Sequence, residues 1–253
     1  MNKYLNIGVV FAAFFAFIGS AAAAPEDDTV TETRPVDARA VRVKLDGVID
    51  LKLRQGPVPH LVIIGDRRWI EKTTVAQNGD TLNIGTEVRG FKFHQRRSVR
   101  AELTLPNLRE VASESVGSTE IRGFSGDELD LSLEGAGSMK VICSYRIVTA
   151  SLGGVGSMNI DGADGEGIDL NLRGAGYVTL HGRSKWLKAT LGGLGGLDAQ
   201  HFQADSVSLE LSGLGNASVT ARQNANLNLS GMGSVTVYGK PLNRSVSVDG
   251  LGK

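Results

Sequence analysis

Apolar and polar residues alternate in a phrase that recurs through the second half of the chain. Its clearest copy, residues 131–141, reads Leu-Ser-Leu-Glu-Gly-Ala-Gly-Ser-Met-Lys-Val, with apolar residues at every second position on both sides of Gly-Ala-Gly. Such alternation predicts half-buried β-strands, and the high glycine content disfavours a helix. Each copy is therefore expected to hold two short strands with one apolar face each.

The second glycine of the phrase returns at nearly fixed intervals. It occupies the positions Gly117, Gly137, Gly156, Gly176, Gly195, Gly215, Gly233 and Gly252, in steps of 18 to 20 residues. A fixed period of this size is typical of stacked repeats. We predict a right-handed parallel β-helix of about eight coils, in which Leu133, Leu152 and Leu172 stack at about 4.8 Å per coil. Antiparallel packing of the same strands, as a sandwich or prism, is the alternative.

The residue between the two glycines is also apolar in every copy. These residues are Val116, Ala136, Val155, Ala175, Leu194, Leu214, Met232 and Leu251. Uninterrupted alternation would turn all of them outward and produce an exposed apolar row. Because glycine accommodates bends and bulges, we predict instead a bend that resets the alternation and turns the row inward.

The sequence before the repeats divides into three parts. Residues 1–24, with Lys3 followed by an apolar run and small residues, are typical of a secretory signal peptide, and no membrane span is expected after its cleavage. Residues 25–37 are polar and predict a flexible linker. Residues 38–107 contain alternating strands without the period and predict a β-rich cap on the repeat region, residues 108–253.

Charge and cysteine content narrow the functional classes. The chain has 27 basic and 27 acidic residues, which argues against general electrostatic capture of nucleic acid. Its single cysteine, Cys143, cannot form an internal disulfide and occupies a column otherwise rich in glycine. We interpret Cys143 as a small structural residue and not as a nucleophile.

Several segments in a fixed order resemble a known family. They are Leu51-Lys52-Leu53-Arg54-Gln55-Gly56, Gly65-Asp66, Asn78-Gly79-Asp80-Thr81-Leu82-Asn83-Ile84, Leu103-Thr104-Leu105-Pro106-Asn107-Leu108, and the repeated Gly-x-Gly-Ser. Together, over about residues 38–252, they are similar to the "putative auto-transporter adhesin head GIN domain". That resemblance implies an exported bacterial β-helical protein without established enzymatic activity. Many members carry Asp after Gly-x-Gly-Ser, where this chain has Thr119, Met139, Met158 or Val235.

One basic segment is a candidate ligand site. Its cations surround Phe91 and Phe93 and are Arg89, Lys92, Arg96, Arg97 and Arg100. They would suit an anionic glycan or a lipid head group. The alternative is a solvated hairpin whose phenylalanines fill the core, because runs of charge usually face water.

The other polar clusters are weaker candidates for a binding site. Four acids lie close together at Asp161, Asp164, Glu166 and Asp169, and could hold one calcium ion, although other turns lack the pattern. The histidines His60, His94, His181 and His201 are scattered, so we predict no zinc site and no cofactor. No catalytic cluster is evident, and the outward columns are mostly Ser, Thr and Asn.

These observations predict a non-enzymatic protein that is periplasmic, or secreted or at the cell surface of a Gram-negative bacterium. It would act in adhesion or cell-envelope binding, with an envelope glycan or protein as its partner. A polysaccharide-acting enzyme on the same scaffold is one alternative. Another is a structural envelope protein that forms a homodimer through the last strand, residues 245–248. Alternatively, Lys240, Arg244 and Lys253 guard that edge against pairing.

Overall fold

The protein is a parallel β-helix of about seven turns, with 78% strand and 2% helix. The computed structural model describes residues 29–87 and 99–250, apart from the side chains of residues 163 and 164. The strands of the N-terminal part are β1 Thr29–Arg34, β2 Arg42–Asp46, β3 Ile49–Gln55, β4 His60–Asp66, β5 Thr73–Asn78, β6 Thr81–Thr86, β7 Val99–Leu105 and β8 Glu110–Ser113. Those of the repeats are β9 Val116–Leu133, β10 Ala136–Leu152, β11 Val155–Leu172, β12 Ala175–Leu191, β13 Leu194–Leu211, β14 Leu214–Leu229, β15 Met232–Tyr238 and β16 Asn243–Val248.

The repeats stack in parallel and in register. Leu152 of β10 pairs with Leu133 of β9 on one side and with Leu172 of β11 on the other, and all three are buried. Every residue of the sequence phrase therefore meets its equivalent in the next coil. The predicted β-helix is confirmed, and the antiparallel alternative is not realised.

The core is a set of aliphatic ladders inside the coils. The columns of alternating apolar residues on both sides of the glycines point inward, as Val141, Ile160 and Leu180 illustrate with full burial. Two large aromatic residues, Phe124 and Phe202, are also fully buried where the strands change register. Burial of these ladders supplies the main driving force for folding.

The residues between the paired glycines point outward, contrary to the expectation of an inward row. Alternation continues through the glycines without a reset, so that the residues before and after the second glycine both face solvent, as at Ala136 and Ser138. The glycines are required by the backbone of the preceding coil and not by a bend. A Cβ atom on Gly137 would lie 1.9 Å from the carbonyl oxygen of Gly117 in the preceding coil. The close approach of successive backbones, and not a change of direction, explains the glycine column.

The N-terminal strands extend the stack in an order that differs from their order in the chain. Strands β2 and β3 pair in parallel with β8 and β9, the start of the repeats. On their other side they pair in parallel with β6 and β7. The first strands of this region therefore lie between segments that follow them in sequence. Antiparallel β4, β1 and β5 complete this end of the sheet.

Part of the segment expected to be a linker is a strand. Residues 29–34 form β1, which pairs antiparallel with β4 from Asp66 to Leu61. Threonine and valine in this segment favour the extended conformation, and the open edge of β4 supplies the hydrogen-bonding partners. The signal peptide lies outside the described residues and stays a prediction.

The described residues contain one short helix. The helix α1, Arg67–Ile70, has four residues and begins after Asp66, whose carboxylate accepts a hydrogen bond of 3.0 Å from the amide of Arg68. Within residues 29–87 and 99–250, no helix is both long and apolar enough to cross a bilayer.

Candidate functional site

A row of outward-pointing apolar side chains, all exposed except the half-buried Ala175, runs along one corner of the β-helix. It consists of the residues between the paired glycines, in register from coil to coil: Val116, Ala136, Val155, Ala175, Leu194, Leu214 and Met232. We call this row the apolar ridge. Its large members are exposed to between 45% at Leu214 and 61% at Val155. Six coil steps of about 4.8 Å make it about 29 Å long.

Glycines flank the ridge on both sides because the coils approach each other closely there. On one side, a Cβ on Gly135 would lie 2.1 Å from the carbonyl oxygen of Ser115. On the other side, a Cβ on Gly215 would lie 1.7 Å from the carbonyl oxygen of Gly195. The ridge side chains therefore stand beside bare backbone, which leaves their sides as well as their tips accessible.

The charge beside the ridge changes along its length. Three residues before the second glycine, the N-terminal coils carry the exposed acids Glu114 and Glu134. The equivalent residues of the later coils are the neutral Gly192, Ser212 and Ser230, and in the last coil the exposed Asp249. There an open groove of about 550 Å³ runs beside the ridge residues Leu194, Leu214 and Met232, with Arg173 at its N-terminal end and Gly250 at the other.

A second depression, of about 790 Å³, lies where the N-terminal strands meet the repeats. Tyr145 forms its buried wall and donates a hydrogen bond of 2.7 Å to the carbonyl oxygen of Leu108. The charges around it are largely neutralised within the protein. Arg42 contacts Glu110 at 2.5 Å and Asp80 at 3.3 Å. This depression is polar and self-compensated, which distinguishes it from the groove beside the ridge.

Arg146, which also lines this depression, is neutralised by ion pairs with neighbouring acids. Arg146 contacts Glu166 at 2.5 Å and Asp127 at 3.6 Å. The hydrogen bond from Arg146, followed by that from Lys185, lowers the pKa of Glu166 below the ordinary value for a glutamate. Glu166 is thus held as an anion by its neighbours on the coils before and after it.

The structure describes one of the five cations of the basic segment that was predicted as a ligand site. Arg89, Lys92, Arg96 and Arg97 lie outside the described residues. Arg100 is exposed on β7, where its backbone pairs with Asp50 of β3 and Ile64 of β4. The site therefore stays a prediction.

The acidic turn predicted as a calcium candidate is engaged in contacts between coils. Asp169 contacts Lys188 at 3.1 Å, and Asp161 lies 3.2 Å from Nδ1 of His181. The ring of His181 in turn stacks on that of His201, with centroids 6.0 Å apart. Aligning the coils on the second glycine brings Asp161 and His181 to the same position but places His201 one residue later, because the strands shift register there, so the sequence did not reveal the whole row. In the part of the chain that is described, no three His, Cys, Asp or Glu side chains are grouped to hold a metal ion.

The resolved pKa shifts of the described carboxyl groups are opposite in direction to the shift that acid catalysis requires. Glycoside hydrolysis requires a carboxylic acid whose pKa is raised. Among the described carboxyl groups, those with a displaced pKa have it lowered: Asp37 and Glu120 by hydrogen bonds from Arg39 and Arg122, and Glu166 as above. Burial raises the pKa of the Cys143 thiol to about 11, which opposes formation of a nucleophilic thiolate.

Solved structures with the same fold include proteins from Parabacteroides and Bacteroides species. A putative adhesin from Parabacteroides merdae superposes with a TM-score of 0.79 at 18% identity, covering 90% of this chain and 95% of that one. A protein from Parabacteroides distasonis, described as a putative lipid binding protein, gives 0.76 at 17% identity, covering 90% and 96%. A putative adhesin from Bacteroides fragilis gives 0.68 at 21% identity, with the same coverage. At these identities the likeness establishes the fold alone.

Sequence comparison identifies the family. None of the curated proteins matches this chain in sequence. Residues 41–241, which contain strands β2 to β15, match the family described as "Putative auto-transporter adhesin, head GIN domain". The order of segments that suggested this resemblance is therefore confirmed over most of the chain, and the protein belongs to this family.

Proposed function

We propose that this protein is an exported, non-enzymatic β-helical protein that acts in adhesion or cell-envelope binding. Its site of action would be the periplasm, the cell surface or the surroundings of a Gram-negative bacterium. The single observation that carries the proposal is the apolar ridge. Aligned, exposed aliphatic side chains over seven coils are costly in water, and large exposed apolar patches commonly mark interaction sites.

The relatives support this proposal in general terms. Two of the solved structures are described as putative adhesins and one as a putative lipid binding protein. All three descriptions concern binding, and none names a reaction. The repeated Ser, Thr and Asn side chains on the outer face of the coils would add hydrogen bonds to such a contact.

Binding to envelope material tests the proposal directly. The purified protein would be mixed with outer membranes, peptidoglycan and envelope polysaccharides, and the bound fraction measured by co-sedimentation. The triple variant Leu194→Ser, Leu214→Ser, Met232→Ser should lose most of the binding. The double variant Val58→Ser, Leu242→Ser removes two exposed apolar residues away from the ridge and should bind like the unmodified protein.

The same experiment separates the alternatives. Absence of binding to every fraction, or equal binding by the ridge variant, would contradict the proposal. Release of reducing ends from the polysaccharides would favour a polysaccharide-acting enzyme on this scaffold instead.

Self-association through the last coil is a second candidate function. Strands β15 and β16 pair only with β14 among the described strands. The valines Val246 and Val248, which continue the inward columns, are 47% and 49% exposed, whereas Leu227 in the preceding coil is 2% exposed. A second copy could cover this open end. Sedimentation equilibrium should then show a dimer that Val246→Lys disrupts, and a monomer at high concentration would contradict it.

A further inference from the structure

We propose that the groove beside the C-terminal half of the apolar ridge binds a single long aliphatic chain with an anionic head group, such as a fatty acid. The chain would lie along Leu194, Leu214 and Met232, and its head group would contact Arg173. This inference rests on the proposed binding function and names a ligand class for it.

The groove has the form that an extended chain requires. Leu194, Leu214 and Met232 form one wall, with exposed fractions of 55%, 45% and 55%. Its floor is a row of glycines: Gly174, Gly193, Gly213, Gly231 and Gly250. Because these glycines have no side chain, a ligand can contact the flanks of the ridge residues as well as their tips. Apolar contact along three coils is suited to methylene groups, which need no directional partner.

The charges around the groove match an amphiphile with one anionic end. The two residues on each side of Leu194, Leu214 and Met232 are all neutral. In the last coil the equivalent of Ser230 is the exposed Asp249, which precedes Gly250 and disfavours an anion at that end of the groove. Arg173 is exposed, and its Nε donates a hydrogen bond of 3.2 Å to Oδ1 of Asn171. Unlike Arg42 and Arg146, it has no carboxylate partner among the described residues.

An acid on the N-terminal side fixes the direction of the ligand. The carboxylate of Glu134 lies over Gly153, which is the equivalent of Arg173 one coil earlier, since a Cβ on Gly153 would lie 2.0 Å from Oε2 of Glu134. A second anion is therefore disfavoured beyond Arg173 in that direction. The head group would remain at Arg173 and the chain would extend towards Gly250.

The length of the groove selects long chains. From Gly174 to Gly250 there are four coil steps, or about 19 Å at about 4.8 Å per step. A saturated chain with bonds of about 1.5 Å and angles of about 111° advances about 1.25 Å per carbon. The groove would thus accommodate about 15 carbons, and short-chain acids would leave most of its wall in water.

Other occupants fit the groove less well. Sugars are commonly bound through aromatic rings and dense hydrogen-bonding groups, whereas the wall here is aliphatic and Tyr177 lies over Gly196, on the other side of the ridge. Insertion of the whole ridge into an anionic bilayer would press Glu114 and Glu134 against like charges. A single chain held by the C-terminal coils avoids both difficulties.

The test is calorimetric titration of the purified protein with palmitate below the concentration at which it aggregates. We expect one molecule bound per chain, with octanoate at least about tenfold weaker because fewer methylene groups are buried. Leu214→Ser should weaken palmitate binding about tenfold. The control Val58→Ser, at another exposed apolar position, should leave it unchanged.

A comparison of palmitate with hexadecanol tests the contact between the head group and Arg173. Arg173→Gln should weaken palmitate several-fold and leave hexadecanol, which has the same chain and no charge, unaffected. No binding of palmitate, or binding that Leu214→Ser does not weaken, would overturn the inference. So would binding to phosphatidylglycerol vesicles without uptake of palmitate monomers, or binding coupled to formation of a dimer.

The two proposals fail separately. If palmitate is not bound while envelope material is still captured in a ridge-dependent manner, the ligand class is wrong and the proposed function stands. If neither is bound, both are wrong.

Discussion

The hydroxyl of Tyr145 donates a buried hydrogen bond of 2.7 Å to the carbonyl oxygen of Leu108. Tyr145 lies on β10 and Leu108 precedes β8, so the ring spans β9. It does so above Gly126, where a Cβ would lie 2.9 Å from Cε1 of the tyrosine. This one side chain therefore connects the repeats to the segment that leads into them.

Removing this hydroxyl should destabilise the protein. Tyr145→Phe keeps the ring and leaves the Leu108 carbonyl without this donor, so we expect a loss of about 1 kcal/mol in the free energy of unfolding. Urea denaturation would measure it. Tyr177→Phe removes a hydroxyl from a half-exposed ring on the surface and should change stability little. Equal effects of the two variants would argue against a structural role for the hydrogen bond.

The glycine column should not tolerate alanine. In Gly137→Ala the new methyl would lie 1.9 Å from the carbonyl oxygen of Gly117, so the coils must separate at that corner. We expect a loss of about 2 kcal/mol or more, measured by thermal or chemical denaturation. Gly162→Ala is the matched control, because its nearest neighbour would be Cδ1 of Ile168 at 4.0 Å. Similar stability of the two variants would contradict the close approach.

Neighbouring apolar residues should differ sharply in their contribution to stability. Leu152 is fully buried between Leu133 and Leu172, and Leu152→Ala should cost about 3 kcal/mol through lost contacts and a cavity. Val155, three residues later, is 61% exposed on the ridge, and Val155→Ala should change stability by less than about 0.5 kcal/mol. A large loss for Val155→Ala would mean that the ridge is buried, for example in an assembly.

Cys143 should make stability depend on alkaline pH. Burial raises the pKa of its thiol from 9.0 to about 11. Above pH 9 the unfolded chain releases this proton first and the folded chain retains it. The unfolded state then binds fewer protons, and stability falls as pH rises towards 11. We expect this group to contribute a decline of about 2 kcal/mol.

Comparing Cys143→Ala with the unmodified protein isolates this contribution. Both proteins retain Tyr145, whose pKa is raised by burial and, to a lesser degree, by the charge of Cys143, so the difference between their slopes against pH reports the thiol together with its effect on Tyr145. The alanine variant should show a shallower decline between pH 9 and 11. Parallel curves would show that the thiol ionises equally in both states.

The sequence was most informative where the coils repeat. Alternation and the fixed glycine step identified the inward columns, because in a parallel stack each residue lies beside its own equivalent, as Leu133, Leu152 and Leu172 do. The orientation of Leu194 and Leu214 was predicted wrongly. Their glycine neighbours suggested a bend, and the crowding that requires glycine comes from the preceding coil, which a single repeat does not reveal.

Contacts between segments of different sequence were not predictable in the same way. The stacking of His181 on His201, and the approach of Asp161, depend on which strands are neighbours. The pairing of Leu51 with Thr119 joins segments that share no period. The groove was missed for a related reason, because its wall consists of the residues that were expected inside.

The placement of β2 and β3 between β6–β7 and β8–β9 has a consequence for how the molecule assembles. Adjacent repeats meet across short loops, as Ala136 and Val155 do at a separation of 19 residues. Asp50, by contrast, accepts hydrogen bonds from Ser118, 68 residues away. Closing the longer loop costs about 1 kcal/mol more in chain entropy. Nucleation should accordingly begin among the later repeats, and a polypeptide emerging from its amino end must wait for distant partners before its earliest strands can dock.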